Sequence, residues 1–79
     1  MLDMQAAIQK AEEFLQSVYG KVFNLVVEEV VPPDEASVSK AWLVTFSFIN
    51  SATTEKTFKE FEVDAESGKV RGMFMRHVR

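Results

Sequence analysis

The sequence predicts an α+β domain: one N-terminal helix packed on a four-stranded antiparallel meander sheet. Three observations carry this. An apolar stripe at helical period runs through residues 4–19. From residue 22 onward the chain turns to β-branched and aromatic residues, broken at intervals by turn formers. With 79 residues, a single domain spanning 1–79 is the fitting count.

The helix comes first. At about 100° per residue, Met4, Ala7, Ile8, Ala11, Phe14, Leu15, Val18 and Tyr19 fall on one arc and the polar residues on the other. Asp3 is the expected N-cap, since its carboxylate can accept backbone N–H groups of the first turn. Gly20 is the expected stop, because it takes a left-handed conformation at little cost.

Residues 22–31, VFNLVVEEVV, read as the first strand, ended by Pro32-Pro33, which cannot donate to a ladder. Residues 38–49 read as the second, 55–65 as the third and 69–78 as the fourth. Taking residues 51–54 as a hairpin loop sets Trp42 opposite Val63, Val44 opposite Phe61 and Phe46 opposite Lys59. A slip of one residue would set these apolar side chains against Asp64, Glu62 and Glu60, so the pattern selects the first register. A three-residue loop of Glu66, Ser67 and Gly68, with Gly68 left-handed, then places Val63 opposite Arg71, Phe61 opposite Met73 and Lys59 opposite Met75. One face so defined carries Trp42, Val44, Phe46, Phe48, Phe61, Val63, Met73 and Met75, and it is the face expected to meet the helix, with Trp42 buried beneath it.

Composition narrows the function classes. There is no cysteine, so disulfides and thiolate metal sites are excluded. Nine basic and twelve acidic side chains give a net charge of −3, which argues against nucleic-acid binding. No apolar stretch reaches the ~18 residues of a membrane span. The first residues lack a basic start followed by an apolar run, so the expected location is the cytoplasm, unless a leader has been removed.

The stretch FEVDAESGKV invites a cation-loop reading, but counting Asp64 as position 1 puts glycine at 5 and Met75 at 12, where an EF-hand needs glycine at 6 and glutamate at 12. It reads instead as a solvated turn. The alternating strand followed by KEFEVDAESGKVRGM resembles the C-terminal hairpin of PepSY and PepSY-like domains, at Val63, Asp64, Ser67, Gly68, Lys69 and Val70. The Ala- and Ile-rich helix AAIQKAEEFL is similar to the helix that precedes the strands in that family. The resemblance covers most of the chain, with the hairpin its specific part. It implies a helix lying on an antiparallel sheet, an arrangement also similar to cystatins, and a role in regulating or inhibiting peptidases. It implies no catalytic residues.

The residues themselves point the same way. His77, the one histidine, has no nucleophile or zinc motif beside it. Glu28 and Glu29, adjacent on a strand, are expected to point to opposite faces. Glu60 and Glu62 share a face and are expected to pair with basic residues on a neighbouring strand. The basic C-terminal segment, with Lys69, Arg71, Arg76 and Arg79, is expected to balance such acidic residues rather than bind nucleic acid. No enzymatic activity, cofactor or metal is expected. Few polar residues converge on the inner face, which disfavours a small-ligand cleft between helix and sheet.

The outer sheet face is the candidate site. In the register above, Leu43, Ile49, Phe58, Val70, Phe74 and Val78 point away from the helix, and a single helix leaves that face uncovered. Contiguous apolar surface of this kind marks an interface. The expected partner is another protein, or a second copy of the chain in a homodimer formed through the open face. The alternative is a β-bulge that returns some of these residues to the core.

Overall fold

The computed structural model describes residues 1–34, 40–50 and 55–75. Helix α1 spans Met4–Tyr19, followed by strands β1 (Val22–Val31), β2 (Ala41–Asn50), β3 (Lys56–Asp64) and β4 (Val70–Met75). The strands form one antiparallel sheet in the order β1-β2-β3-β4, so the chain is an α+β domain with one helix on a meander.

The helix starts where its chemistry says it should. Asp3 Oδ1 accepts a 2.8 Å hydrogen bond from the Ala6 N–H, and at the other end the Gly20 N–H donates to the Gln16 carbonyl. Ala7, Ala11 and Leu15 are fully buried, and the two alanines let the helix backbone come close to the sheet. Two residues of the apolar arc, Met4 and Val18, are exposed, whereas Tyr19 in the last turn still packs against the core.

The inner sheet face answers α1 with Val44, Phe46, Phe48, Phe61 and Val63, all fully buried. Their rings pack edge to face: Phe46 lies 5.7 Å from Phe61, and Phe14 reaches Phe61 from the helix at 6.1 Å. Such pairs add roughly 0.5–1.5 kcal/mol each beyond the area they bury. Trp42 and Met73 pack half-buried at the margin of this core. Met75, expected on the helix side, is 64% exposed, because the core ends before the last residue of β4.

The β2–β3 register is the expected one, with Trp42 opposite Val63, Val44 opposite Phe61 and Phe46 opposite Lys59. The β3–β4 hairpin differs at its tip. Asp64 and Lys69 close it through a 2.8 Å bond, so the loop has residues 65–68 rather than the three expected. The extra residue, Ala65, is buried; its N–H donates to the Lys40 carbonyl and its carbonyl accepts from the Leu2 N–H. The longer loop shifts the pairing so that Val63 faces Val70, not Arg71. A bulge at Arg71 then restores the expected pairs of Phe61 with Met73 and Lys59 with Met75.

Candidate functional site

The outer face is built on β2, whose outward residues are Leu43, Thr45, Ser47 and Ile49. The centre of that row is small and hydroxylic. Thr45 and Ser47 are buried although no helix lies over them. They are covered from the flanks, where the neighbouring strands carry larger groups. On β1, Phe23 lies opposite Ile49 and Val26 opposite Ser47; on β3, Phe58 lies opposite Ser47 from the other side. Phe23 is 48% exposed and Val26 47% exposed, while Ile49 and Phe58 are half-buried. These four side chains form one apolar cluster around Ser47. The Lys21 and Lys56 ammonium groups lie over the rings of Phe23 and Phe58, at 5.6 and 5.4 Å.

The acidic residues sit on the same face. Ser47 Oγ donates a 2.6 Å hydrogen bond to Glu28 Oε2, which also faces the Lys56 ammonium at 4.0 Å. Glu29 pairs with Thr45. Glu28 and Glu29 therefore share the outer face, which corrects the expectation of opposite faces. The reason is a bulge: β1 shifts register between Val27 and Glu29, and a bulged residue falls out of strand alternation. A second shift lies between Phe23 and Val26, where Asn24 adopts a left-handed conformation with φ 54°. Those two irregularities hid Phe23 and Val26 from sequence reading. The run VFNLVVEEVV does not alternate, and only pairing with β2 reveals which residues face outward.

The six candidate interface residues do not form one surface. Ile49 and Phe58 belong to the cluster just described. Leu43 is separated from Phe58 by Glu60 and Glu62, with Glu62 its own cross-strand partner. Phe74 lies outward opposite Glu60 and is 49% exposed, with its ring folded back over Gly72 of its own strand; a Cβ at Gly72 would lie 2.7 Å from the ring. Val70 is a correction. The four-residue loop brings it opposite Val63, and it packs against the core under α1, not on the outer face. Val78 lies outside the described residues, as do His77, Arg76 and Arg79.

The bulge that turns Val70 inward turns Arg71 outward. Its guanidinium meets Glu62 at 3.2 Å and Asp64 at 3.7 Å, the basic-to-acidic balance expected for this hairpin. Asp64 Oδ1 also accepts hydrogen bonds from the Ser67 and Glu66 N–H groups, each 2.9 Å. Those two donors, more than Arg71, hold the Asp64 carboxyl below its ordinary pKa, against a smaller opposing effect of desolvation. Asp64 thus works as a turn residue satisfied by its own loop. Among the described residues no group of three or more histidine or carboxylate side chains could hold a metal ion, and no helix is long and apolar enough to cross a membrane. No protein family, curated protein or solved structure matches the chain.

Proposed function

We propose that this chain is a non-enzymatic protein-binding module whose contact surface is the outer sheet face. The observation that supports it is the cluster of Phe23, Val26, Ile49 and Phe58, apolar and partly open on the one sheet face that α1 leaves uncovered. The Glu28 carboxylate covers the Ser47 hydroxyl at the centre, so a partner would meet the exposed sides of Phe23 and Val26 next to a negative charge. The described polar groups of this region are engaged in cross-strand bonds rather than converging on one reacting position. The resemblance of the 63–70 hairpin to PepSY-like domains supplies the partner class: a peptidase that the module regulates or inhibits.

The test is site-specific photo-crosslinking in the native cell, with a photoreactive phenylalanine in place of Phe58 or, as a control, of Gln9 on the solvent side of α1. A species captured from position 58 and absent from position 9 supports the outer face as the contact surface, and its identity decides whether the partner is a peptidase. A product of twice the 9.0 kDa chain mass would identify the partner as a second copy. Equal capture from both positions overturns the proposal.

A further inference from the structure

The two strands that flank β2 carry the same order of side chains across the outer face. On β3, Lys56, Phe58 and Glu60 alternate outward, opposite Ile49, Ser47 and Thr45. On β1, Phe23, Val26 and Glu29 lie opposite the same three residues, and the Lys21 ammonium stands over the Phe23 ring. Both strands therefore pass from a cation, through an apolar residue in the Ser47 row, to a carboxylate. Lys21, Glu29 and Lys56 are exposed and Glu60 is half-buried. The face is thus positive at the Ile49 row, apolar at the Ser47 row and negative at the Thr45 row.

We propose that a second copy of this chain closes the outer face when no other partner holds it, the two sheets packing face to face with their strands reversed. The proposal rests on the outer face being the contact surface and adds its occupant. Charge complementarity selects both that occupant and its orientation. A twofold axis running between the sheets, across the strands and over the Ser47 row, lays Phe58 on its equivalent and Val26 on its equivalent. The same axis brings Lys56 over the other copy's Glu60, and Lys21 over the other copy's Glu29. An axis along the strands would instead lay lysines on lysines and carboxylates on carboxylates. Packed sheets lie about 10 Å apart and cross at about 30°, a gap that a lysine and a glutamate together reach across. Glu28 stands beside this axis, where its carboxylate is already compensated by Ser47 Oγ at 2.6 Å and the Lys56 ammonium at 4.0 Å. The apolar row supplies the affinity and the charges fix the direction, since exposed ion pairs by themselves contribute little.

The contact is only three strands wide, small against the ~1,200 Å² of a standard interface, so the dimer is weak and concentration-dependent. Sedimentation velocity of the whole chain over a wide concentration range is expected to show monomer passing to dimer. Lys56→Glu alone and Glu60→Lys alone each set like charges across the axis, and each is expected to raise the dissociation constant at least tenfold. Mixed in equal amounts, the two variants regain opposite charges at both contacts and should associate at least tenfold more tightly than either does alone. Lys21→Glu and Glu29→Lys form a second exchange pair on β1, which decides if circular dichroism shows that Lys56→Glu disturbs the fold. A wild-type chain that stays monomeric overturns the proposal, and so does a dimer for which neither mixture recovers association. The crosslink at position 58 separates this failure from that of the contact surface. A monomeric wild type that still captures a different protein from position 58 removes the second copy as occupant and leaves the outer face as the contact surface. Equal capture from positions 58 and 9 removes the contact surface itself.

Discussion

Trp42 Nε1 donates a 3.1 Å hydrogen bond to the carbonyl of Leu2, 40 residues earlier in the chain. The bond fastens the segment ahead of α1 to the start of β2. The same segment is held from the hairpin side, where the Leu2 N–H donates 2.6 Å to the Ala65 carbonyl and the Leu2 side chain lies against Gly68. The indole thus serves less as the buried centre of the core than as a clasp at its edge. Trp42→Phe keeps an aromatic ring there and removes the donor. Stability is expected to fall by about 1 kcal/mol, a drop of roughly 4–8 °C in Tm for a domain of this size. An unchanged Tm would show that the bond contributes nothing in solution.

Gly68 closes the β3–β4 loop with φ 77°. A Cβ there would meet Leu2 and Lys10 side chains at 3.4 Å, ordinary contact, so the objection to other residues is conformational and not steric crowding. Gly68→Val is therefore expected to cost about 2 kcal/mol through left-handed strain, read as a fall in urea midpoint at unchanged slope. Gly68→Asn, which tolerates that conformation, should recover most of the loss. Equal losses for both substitutions would locate the problem in space rather than in φ.

Asp64 gives the hairpin a pH signature. Its folded pKa lies below the ordinary value because the Ser67 and Glu66 N–H groups, and then Arg71, favour the carboxylate. A carboxyl depressed on folding stabilises the fold above its unfolded pKa, about 4, and that contribution disappears as pH falls through the lower folded value. Asp64→Asn retains an acceptor oxygen but not the charge. The wild type should be the more stable of the two at pH 6, with the gap closing as pH drops below about 4. A gap that stays constant from pH 7 to pH 2 would show that the charge plays no part.

The helix and the β2–β3 pairing were legible in the sequence because each rests on a pattern with one solution. Asp3, the 4–19 stripe and Gly20 agree with one another, and a slip of the strands would have buried Glu60 and Glu62 against Phe46 and Val44. The two outer pairings were less legible because bulges break alternation there. Nothing in FNLVVEEV marks which residue is extra, since either glutamate and any of the valines suits a strand. At the other edge, Ala65 is small enough to be strand or loop. Its place in the loop depends on the Lys40 and Leu2 backbone groups that meet it, contacts about 25 and 63 residues away in sequence that local pattern does not encode. The candidate interface inherited both errors: Val70 was misplaced, while Phe23 and Val26 went unassigned.

That bulge gives the last prediction, a pair of substitutions on one strand. Val70 packs against the core opposite Val63, whereas Phe74 stands outward opposite Glu60. In strict alternation the two would lie on the same face and respond alike. With the bulge they differ. Val70→Glu forces a carboxylate toward Val63 under the helix and is expected to cost about 2 kcal/mol or more. Phe74→Glu leaves the inner core untouched. It uncovers Gly72 and sets a like charge beside Glu60, so its cost should stay within about 1 kcal/mol. Circular dichroism melts of the two variants below the concentration of any association provide the comparison. Equal tolerance of both would return Val70 to the outer face and remove the bulge at Arg71. Loss of fold with Phe74→Glu alone would invert β4 entirely, placing Phe74 in the core and Met73 outside.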